Sequence, residues 1–391
     1  MDWQYAKRLD GVTGSAIRDI FKLIARPGVI SFAGGNPAPS SFEPEVIAEF
    51  TARLMKERGA ELLQYGATEG FAPLRESTAD FLTRAGIQAK EEEILPTVGS
   101  TQAIELCLRA LVDPGDVVLA ENPTFLGTLQ AMQLTQAKVK SIETDEFGAL
   151  PESVEELCRE FHPKIVYIIP TFQNPTGRTM PLERRKKMAQ LAAQYGFLLM
   201  EDDPYRDLRY TGEKLPAIAS FDEAGAVVYL TSYSKIISPG LRVGAAVVKD
   251  AALRRKLVVL KQSADVHSPG LNQALADAYL RSGRMEQHIA EISVSYAKQL
   301  EAMLEGMKAF PEGTEYIKPE GGLFVWAALP KRFDAQAMLA DVVEQKGVAY
   351  VPGTFFYYEK GTHKNAIRLN FSMANVENIQ EGMKRLAEVF Q

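Results

Sequence analysis

The chain has 391 residues, 46% apolar and 24% charged, with a formal charge of −6. That length exceeds the roughly 250–300 residues at which one hydrophobic core stops growing, so two unequal domains are expected, and the composition excludes a disordered or fibrous chain. A negative charge without long like-charge blocks argues against nucleic acid or anionic membranes as partners and points to small molecules.

The N-terminal run Met1-Asp2-Trp3-Gln4-Tyr5-Ala6-Lys7-Arg8 lacks the apolar core of a signal peptide, and no apolar run approaches the length of a membrane span. From about 94 to 248 short apolar runs alternate with longer amphipathic ones, the pattern of βαβ units around a mostly parallel sheet. The runs are Val117-Val118-Leu119-Ala120, Ile165-Val166-Tyr167-Ile168-Ile169, Phe197-Leu198-Leu199-Met200, Val227-Val228-Tyr229-Leu230 and Ala245-Ala246-Val247-Val248, with a helical pattern over 182–195. Helical patterning over 268–310 leads into a Gly-Gly strand at 321–328, a helix at 334–346 and a strand at 367–371, which reads as a smaller α+β domain. Cys107 and Cys158 are the only cysteines, both in helical stretches, so a disulfide framework or thiolate zinc site is not expected and a reducing cytoplasm fits. The four histidines, His162, His267, His288 and His363, show no metal-ligand spacing, and no metal is expected.

Polar motifs follow four of the apolar runs directly, where ligands bind in an open α/β sheet, outside the carboxyl ends of the strands. They are Glu121-Asn122-Pro123-Thr124-Phe125, Gln173-Asn174-Pro175-Thr176-Gly177, Glu201-Asp202-Asp203-Pro204-Tyr205 and Ser232-Tyr233-Ser234-Lys235-Ile236-Ile237-Ser238-Pro239-Gly240-Leu241-Arg242-Val243-Gly244. The last brings a primary amine, two hydroxyls and a guanidinium to the end of a buried strand. An amine condenses with an aldehyde to an imine, and Ser and Arg hold phosphate by charge-assisted hydrogen bonds, so the grouping suits a phosphorylated aldehyde such as pyridoxal phosphate. Read locally, the same run is equally a solvated polar turn.

That cofactor needs further groups, and the sequence offers one candidate for each. Gly99-Ser100-Thr101-Gln102 reads as a turn opening a helix whose free N–H groups favour a phosphate, or as a plain Ser-capped turn. With Ser232, Ser234 and Arg242 it would complete a cradle. Asp202 could stay ionised against a protonated ring nitrogen, or simply begin a turn before Pro204. Tyr205 and Asn174 could reach the phenolic oxygen, and Phe125 could stack on the ring or belong to the core. Arg368, in Ile367-Arg368-Leu369-Asn370-Phe371, could clamp a carboxylate bidentately or face solvent from an edge strand.

Taken together, Asn-Pro-Thr-Gly, Asp-x-x-Tyr, Ser-x-Ser-Lys-x-x-x-Pro-Gly-x-Arg and a late Arg stand in the order found in the class I/II aminotransferases of the fold-type I, pyridoxal-phosphate-dependent superfamily, which the chain resembles over essentially its whole length. The resemblance implies a large domain at 40–278 with a mostly parallel seven-stranded sheet flanked by helices. A smaller α+β domain would comprise 1–39 and 279–391. It implies a homodimer with shared active sites and ping-pong amino transfer from an L-amino acid to a 2-oxo acid such as 2-oxoglutarate. Lys235 would hold the cofactor as an imine and then shuttle a proton; Asp202 would contact the ring nitrogen, Tyr205 and Asn174 the phenolic oxygen, Phe125 the ring face, and Arg368 the substrate α-carboxylate. Tyr65, in Leu63-Gln64-Tyr65-Gly66, matches the tyrosine that reaches the neighbouring subunit's phosphate.

The 2-aminoadipate aminotransferase subgroup is matched more closely, in Ala16-Ile17-Arg18-Asp19-Ile20-Phe21-Lys22-Leu23, in Ile30-Ser31-Phe32-Ala33-Gly34-Gly35-Asn36-Pro37-Ala38-Pro39 and in Lys261-Gln262-Ser263-Ala264-Asp265-Val266-His267. By that match Gly35 would line the substrate site. Arg18 would pair with a distal carboxylate, favouring glutamate and 2-aminoadipate, unless it is a solvated residue of an amphipathic helix. Thr101, where the subgroup often has Gln, and Phe125, where Tyr is common, are departures that bear on fine specificity. The competing readings are a carbon–sulfur lyase or decarboxylase on the same cofactor, and the sensor domain of a transcription regulator. The fold beginning near residue 10 leaves no room for the DNA-binding domain that last reading needs.

Overall fold

The computed structural model describes residues 1, 3–10, 12, 28–359 and 361–391. Its central sheet has seven strands: β1 (Ile94–Thr97), β2 (Val117–Glu121), β3 (Lys138–Ile142), β4 (Ile165–Ile168), β5 (Leu198–Asp202), β6 (Val227–Ser232) and β7 (Gly244–Val248). Their order is β1-β7-β6-β5-β4-β2-β3. Pairing is parallel from β3 through β2, β4 and β5 to β6, whereas β7 runs antiparallel to both β6 and β1.

The interior strands read as continuous apolar runs because both faces are covered by helices. Alternate residues feed two cores. Val166, Ile168, Leu199, Tyr229 and Val247 pack against Met188 and Ala192 of helix Leu182–Tyr195. Ile165, Tyr167, Met200, Val228 and Ala246 pack against Ile104 and Cys107 of helix Ser100–Leu111 and Leu257 of helix Ala251–Asp265. The five apolar runs are β2, β4, β5, β6 and β7. The two strands they do not reveal are the sheet's edges. β1 carries Pro96, which cannot donate to a ladder and is tolerated where one side is open. β3 is Lys138-Val139-Lys140-Ser141-Ile142, and lysines on an edge strand guard it against further pairing.

The helical stretch after the sheet is two helices, Gly270–Arg281 and Met285–Met307, parted at Gly283, whose φ of 74° suits glycine. A second, antiparallel sheet follows, built from Glu315–Tyr316, Phe324–Ala328, Ala366–Asn370 and Val351–Pro352, in that order. Its Gly321-Gly322 pair precedes the strand, with Gly321 in an isolated antiparallel bridge to Arg209. A Cβ on Gly321 would lie 2.3 Å from both the Leu208 carbonyl and the Phe172 ring. Ile30–Ser31 pairs in parallel with Val348–Ala349, which ties the N-terminal side of the chain to its C-terminal part.

One close backbone approach fixes the carboxyl edge of the large sheet. A Cβ on Gly244, the first residue of β7, would stand 2.6 Å from the Thr231 carbonyl oxygen and 2.9 Å from the Gly99 Cα. Both neighbours are backbone and cannot rotate away. Gly244→Ala should therefore destabilise the fold by roughly 1–3 kcal/mol, as overpacking does, and a urea unfolding midpoint equal to the parent's would refute this.

Candidate active site

Asp202 is the last residue of β5 and is buried, with Oδ2 accepting a 2.7 Å hydrogen bond from the Tyr167 hydroxyl of the adjacent strand β4. Oδ1 has no partner among the described residues. Burial raises the carboxyl pKa from 3.8 to about 7 against the pull of the Tyr167 hydroxyl. An acid in this position is half-neutralised until a cation reaches it. Tyr167 carries no motif; its sequence signal is a hydroxyl inside an apolar strand, which must find a buried partner.

Lys235 follows the end of β6 in a single 3-10 turn that opens with the Ser232 side chain accepting from the Ser234 N–H. Its amine donates to the Gly35 carbonyl at 2.7 Å. Burial, reinforced by the positive charges of Arg368 and Arg242, lowers its pKa from 10.5 to about 8, so a sizeable fraction is a free nucleophilic amine near neutrality. Arg368 comes from strand Ala366–Asn370 of the second sheet and is almost fully buried. It donates to Asn174 Oδ1 at 2.9 Å, Ala33 O at 2.9 Å and Gly34 O at 3.3 Å. The rings of Phe324 and Phe356 lie 4.2 and 4.9 Å from its Cζ. All three acceptors are neutral, and burial lowers the guanidinium pKa to about 10. Residues 33–35 are thus the floor on which the amine and the guanidinium converge.

Asn174 sits in a loop held from inside. The Gln173 Oε1 accepts from the Thr176 N–H at 2.8 Å and its Oγ1 at 2.7 Å, while Gln173 Nε2 donates to Pro123 O at 2.8 Å. Asn174 then donates to the buried Tyr205 hydroxyl at 3.4 Å. Phe125 precedes helix Leu126–Leu134 and is half-buried; its ring lies over Gly127, where a Cβ would come within 2.7 Å of it. A loop of the second sheet grips the same segment, with the Thr124 N–H donating to Phe356 O at 2.9 Å and Asn122 Nδ2 to Glu359 at 2.8 Å.

Gly99, at φ 76°, turns the chain into helix Ser100–Leu111, so Ser100, Thr101 and Gln102 occupy the first turn, whose N–H groups have no intrahelical partner. Arg242 lies across this turn, donating to Val98 O at 3.2 Å and Ser234 Oγ at 3.4 Å, and Ser232 Oγ donates to Ser234 Oγ at 3.0 Å. A Cβ on Gly99 would fall 2.8 Å from the Arg242 guanidinium. The Gln102 amide points elsewhere: Oε1 accepts from the Val98 N–H at 2.9 Å and Nε2 donates to Asp265 at 2.7 Å. Tyr65 stands apart from this group within the chain, 81% exposed, its ring edge-on to His267 with the centroids 6.0 Å apart. Arg18 lies outside the described residues. Among the described residues no group of His, Cys, Asp and Glu is arranged to hold a metal, and no helix is long and apolar enough to cross a membrane.

Residues 27–386 match the family described as aminotransferase class I and II. The chain is 41% identical to aromatic-amino-acid aminotransferase 1 of Thermococcus litoralis, over 99% of its own length and 94% of that protein. It is a class I and II aminotransferase. The 2-aminoadipate transaminase of Thermus thermophilus is 39% identical over 99% of this chain and 96% of its own length. The crystal structure of Pyrococcus horikoshii kynurenine aminotransferase, in complex with PMP, superposes with a TM-score of 0.93 at 41% identity, covering 99% of this chain and 96% of that one. The aminotransferase is therefore a pyridoxal-phosphate enzyme of fold type I that moves amino groups between amino acids and 2-oxo acids.

The residues present fit that cofactor. The unpartnered Oδ1 of Asp202 needs a cation such as a protonated ring nitrogen, the amine of Lys235 has lost enough basicity to attack an aldehyde, and the turn at Gly99 offers orphan N–H groups beside Arg242. A testable consequence follows from Asp202 alone. Between 3.8 and about 7 the folded, cofactor-free protein holds a proton there that the unfolded chain releases, so stability falls as pH rises through this window. Asp202→Asn, titrated with urea without cofactor, should outlast the parent at pH 8 and lose that advantage towards pH 4. A constant difference across the range would contradict the assignment.

Proposed function

We propose that the aminotransferase takes an L-amino acid whose α-carboxylate is held by Arg368 and whose amino group meets the cofactor at Lys235, with 2-oxoglutarate as amino acceptor. The observation that carries this reading is that Lys235 Nζ and the Arg368 guanidinium bond the carbonyls of three consecutive residues, Gly35 on one side and Ala33 and Gly34 on the other. An amine and a carboxylate on one carbon span such a gap. Gly35 and Asn174 complete the substrate's surroundings.

Bound in this site, pyridoxal phosphate supplies an electron sink for the carbanion formed at the substrate's α-carbon. The chain's own groups do the rest. Asp202 holds the ring nitrogen protonated, with Tyr167 fixing the carboxylate's rotation. Tyr205 and Asn174 donate to the phenolic oxygen, and Phe125 covers the ring face. The first-turn N–H groups of Ser100, Thr101 and Gln102, with Ser232, Ser234 and Arg242, hold the phosphate. With the cofactor bound, the Lys235 amine would take the substrate's α-proton and deliver it to the cofactor's carbon. We further propose a homodimer in which Tyr65 reaches the partner's phosphate, which its exposure on this chain supports. The large and small domains divide at 40–278 against 1–39 with 279–391, and the enzyme is cytoplasmic.

For the side chain of the donor we propose dicarboxylic and aromatic amino acids, glutamate, 2-aminoadipate and kynurenine among them. The relatives are named for aromatic amino acids and 2-aminoadipate, and Arg18 belongs to the run that resembles the latter subgroup. The test mixes the loaded enzyme with glutamate, 2-aminoadipate, kynurenine, phenylalanine and leucine in turn. Good donors should bleach the cofactor's visible band, and 2-oxoglutarate should restore it. Release of ammonia or carbon dioxide in place of a 2-oxo acid would favour the lyase or decarboxylase reading. Arg18→Ala should lower kcat/KM for glutamate about tenfold more than for leucine, the scale of one charge-assisted hydrogen bond; equal losses would remove Arg18 from specificity.

The pH dependence of cofactor loading follows from Lys235. Only the unprotonated amine attacks an aldehyde, so the rate at which cofactor-free enzyme captures pyridoxal phosphate should rise with pH and reach half its maximum near 8, the lowered pKa of this amine. Stopped-flow absorbance between pH 6 and 11 decides it, and a midpoint near 10.5 would show an ordinary lysine.

A further inference from the structure

Behind the phosphate turn lies an ion pair, its lysine buried and its aspartate partly exposed, that the reaction above does not use. Lys261, in helix Ala251–Asp265, is completely buried. Its amine donates to Asp265 at 2.8 Å, Ser268 Oγ at 3.0 Å and Gln102 Oε1 at 3.1 Å, which occupies all three of its donors. Burial lowers this amine's pKa and Asp265 offsets that. Asp265 also accepts from Gln102 Nε2 at 2.7 Å, so the Gln102 amide is held at both ends. To return Ser268 to the amine the chain reverses at Val266, a β-branched residue at φ 62°, a strained conformation that persists only where the surroundings enforce it.

The tie does not end at Gln102. Its Oε1 also accepts from the Val98 N–H, and the Val98 carbonyl accepts from Arg242, which in turn donates to Ser234. Val98 is thereby held through both its N–H and its carbonyl, the first fixed by the Lys261 network and the second by the guanidinium proposed to meet the phosphate. An ion pair partly withdrawn from water adds little net stability compared with apolar packing, but it defines geometry. Here the geometry it defines is that of the first helical turn and Arg242.

We propose that Lys261 is a positioning residue for the cofactor's phosphate, acting through Asp265, Gln102 and Val98 to set the orphan N–H groups of the Gly99 turn and the reach of Arg242. This rests on the reading that the turn holds the phosphate. Pyridoxal, which lacks that group, separates the two ideas. The full-length enzyme, resolved of cofactor, is titrated with pyridoxal phosphate and with pyridoxal, following the visible band of each. The parent should prefer the phosphorylated form strongly; equal affinities would overturn the reading itself. Lys261→Met should raise the dissociation constant for pyridoxal phosphate roughly tenfold, about the loss of one well-placed charged hydrogen bond, and change that for pyridoxal less than about twofold. Asp265→Asn, a milder change at a residue partly open to water, should shift the ratio of the two constants in the same direction, and decides the matter alone if Lys261→Met does not fold. A parent-like ratio in the folded variants, whether neither ligand or both are weakened, would reduce Lys261 to a brace between two helices and overturn the proposal.

Discussion

The site is organised by charges kept out of water with no partner of opposite charge. Asp202, Lys235 and Arg368 are enclosed at one place, and among the described residues none forms an ion pair with another or with a third group. Each is displaced towards its neutral form, the carboxyl up and the amine and guanidinium down. Left so, such groups cost stability, since a buried charge without compensation is among the least favourable arrangements a fold can hold. In the proposed function ligands would bring the missing charges: a cationic ring nitrogen for Asp202, an aldehyde that removes the Lys235 charge and a carboxylate for Arg368. Binding and catalysis would then share one electrostatic origin.

Topology explains why these three groups meet. β4, β5 and β6 run parallel, so Asn174, Asp202 and Lys235 all lie at or just beyond the carboxyl ends of neighbouring strands. The antiparallel β7 starts where those strands end, and its Gly244 presses against Gly99, bringing the phosphate turn to the same edge. Arg368 arrives from the other sheet and is locked by Asn174 of the first, so one hydrogen bond spans the two structural layers at the substrate's position.

Much of this was legible in the chain because motif and strand coincide. The runs ending near Asp202 and before Lys235 are apolar on both faces, so their polar successors stood out, and Arg368 showed as the one charge in a buried strand. The edges hid for the opposite reason. Pro96 and the alternating lysines of β3 are tolerated in, or needed by, strands paired on one side only, and both weaken the apolar signal. Tyr167 and Lys261 escaped because their roles arise from partners 35 residues and 159 residues away, in Asp202 and Gln102, and no local pattern encodes that distance. Gln102 is instructive in another way. Its place in the Ser-Thr-Gln run suggested a phosphate donor through its N–H, and the side-chain amide is free of that task, turned back to hold Val98 and Asp265.

In the proposed function the same economy would give Arg368 its selectivity for a carboxylate. Nη1 and Nη2 already bond the Asn174 amide oxygen and two main-chain carbonyls, while Nε has no partner among the described residues, so an incoming group of either charge state could gain that one bond. What those acceptors lack is charge. The guanidinium is desolvated between two phenyl rings, which lowers its basicity, and only an anion relieves that deficit. A carboxylate would therefore gain from the burial itself as well as from a bond to Nε, whereas an amide or alcohol of the same shape would gain the bond alone. Discrimination at this end of a substrate would then follow from how far Arg368 has been withdrawn from water, which is a property of the packing around it rather than of the arginine alone.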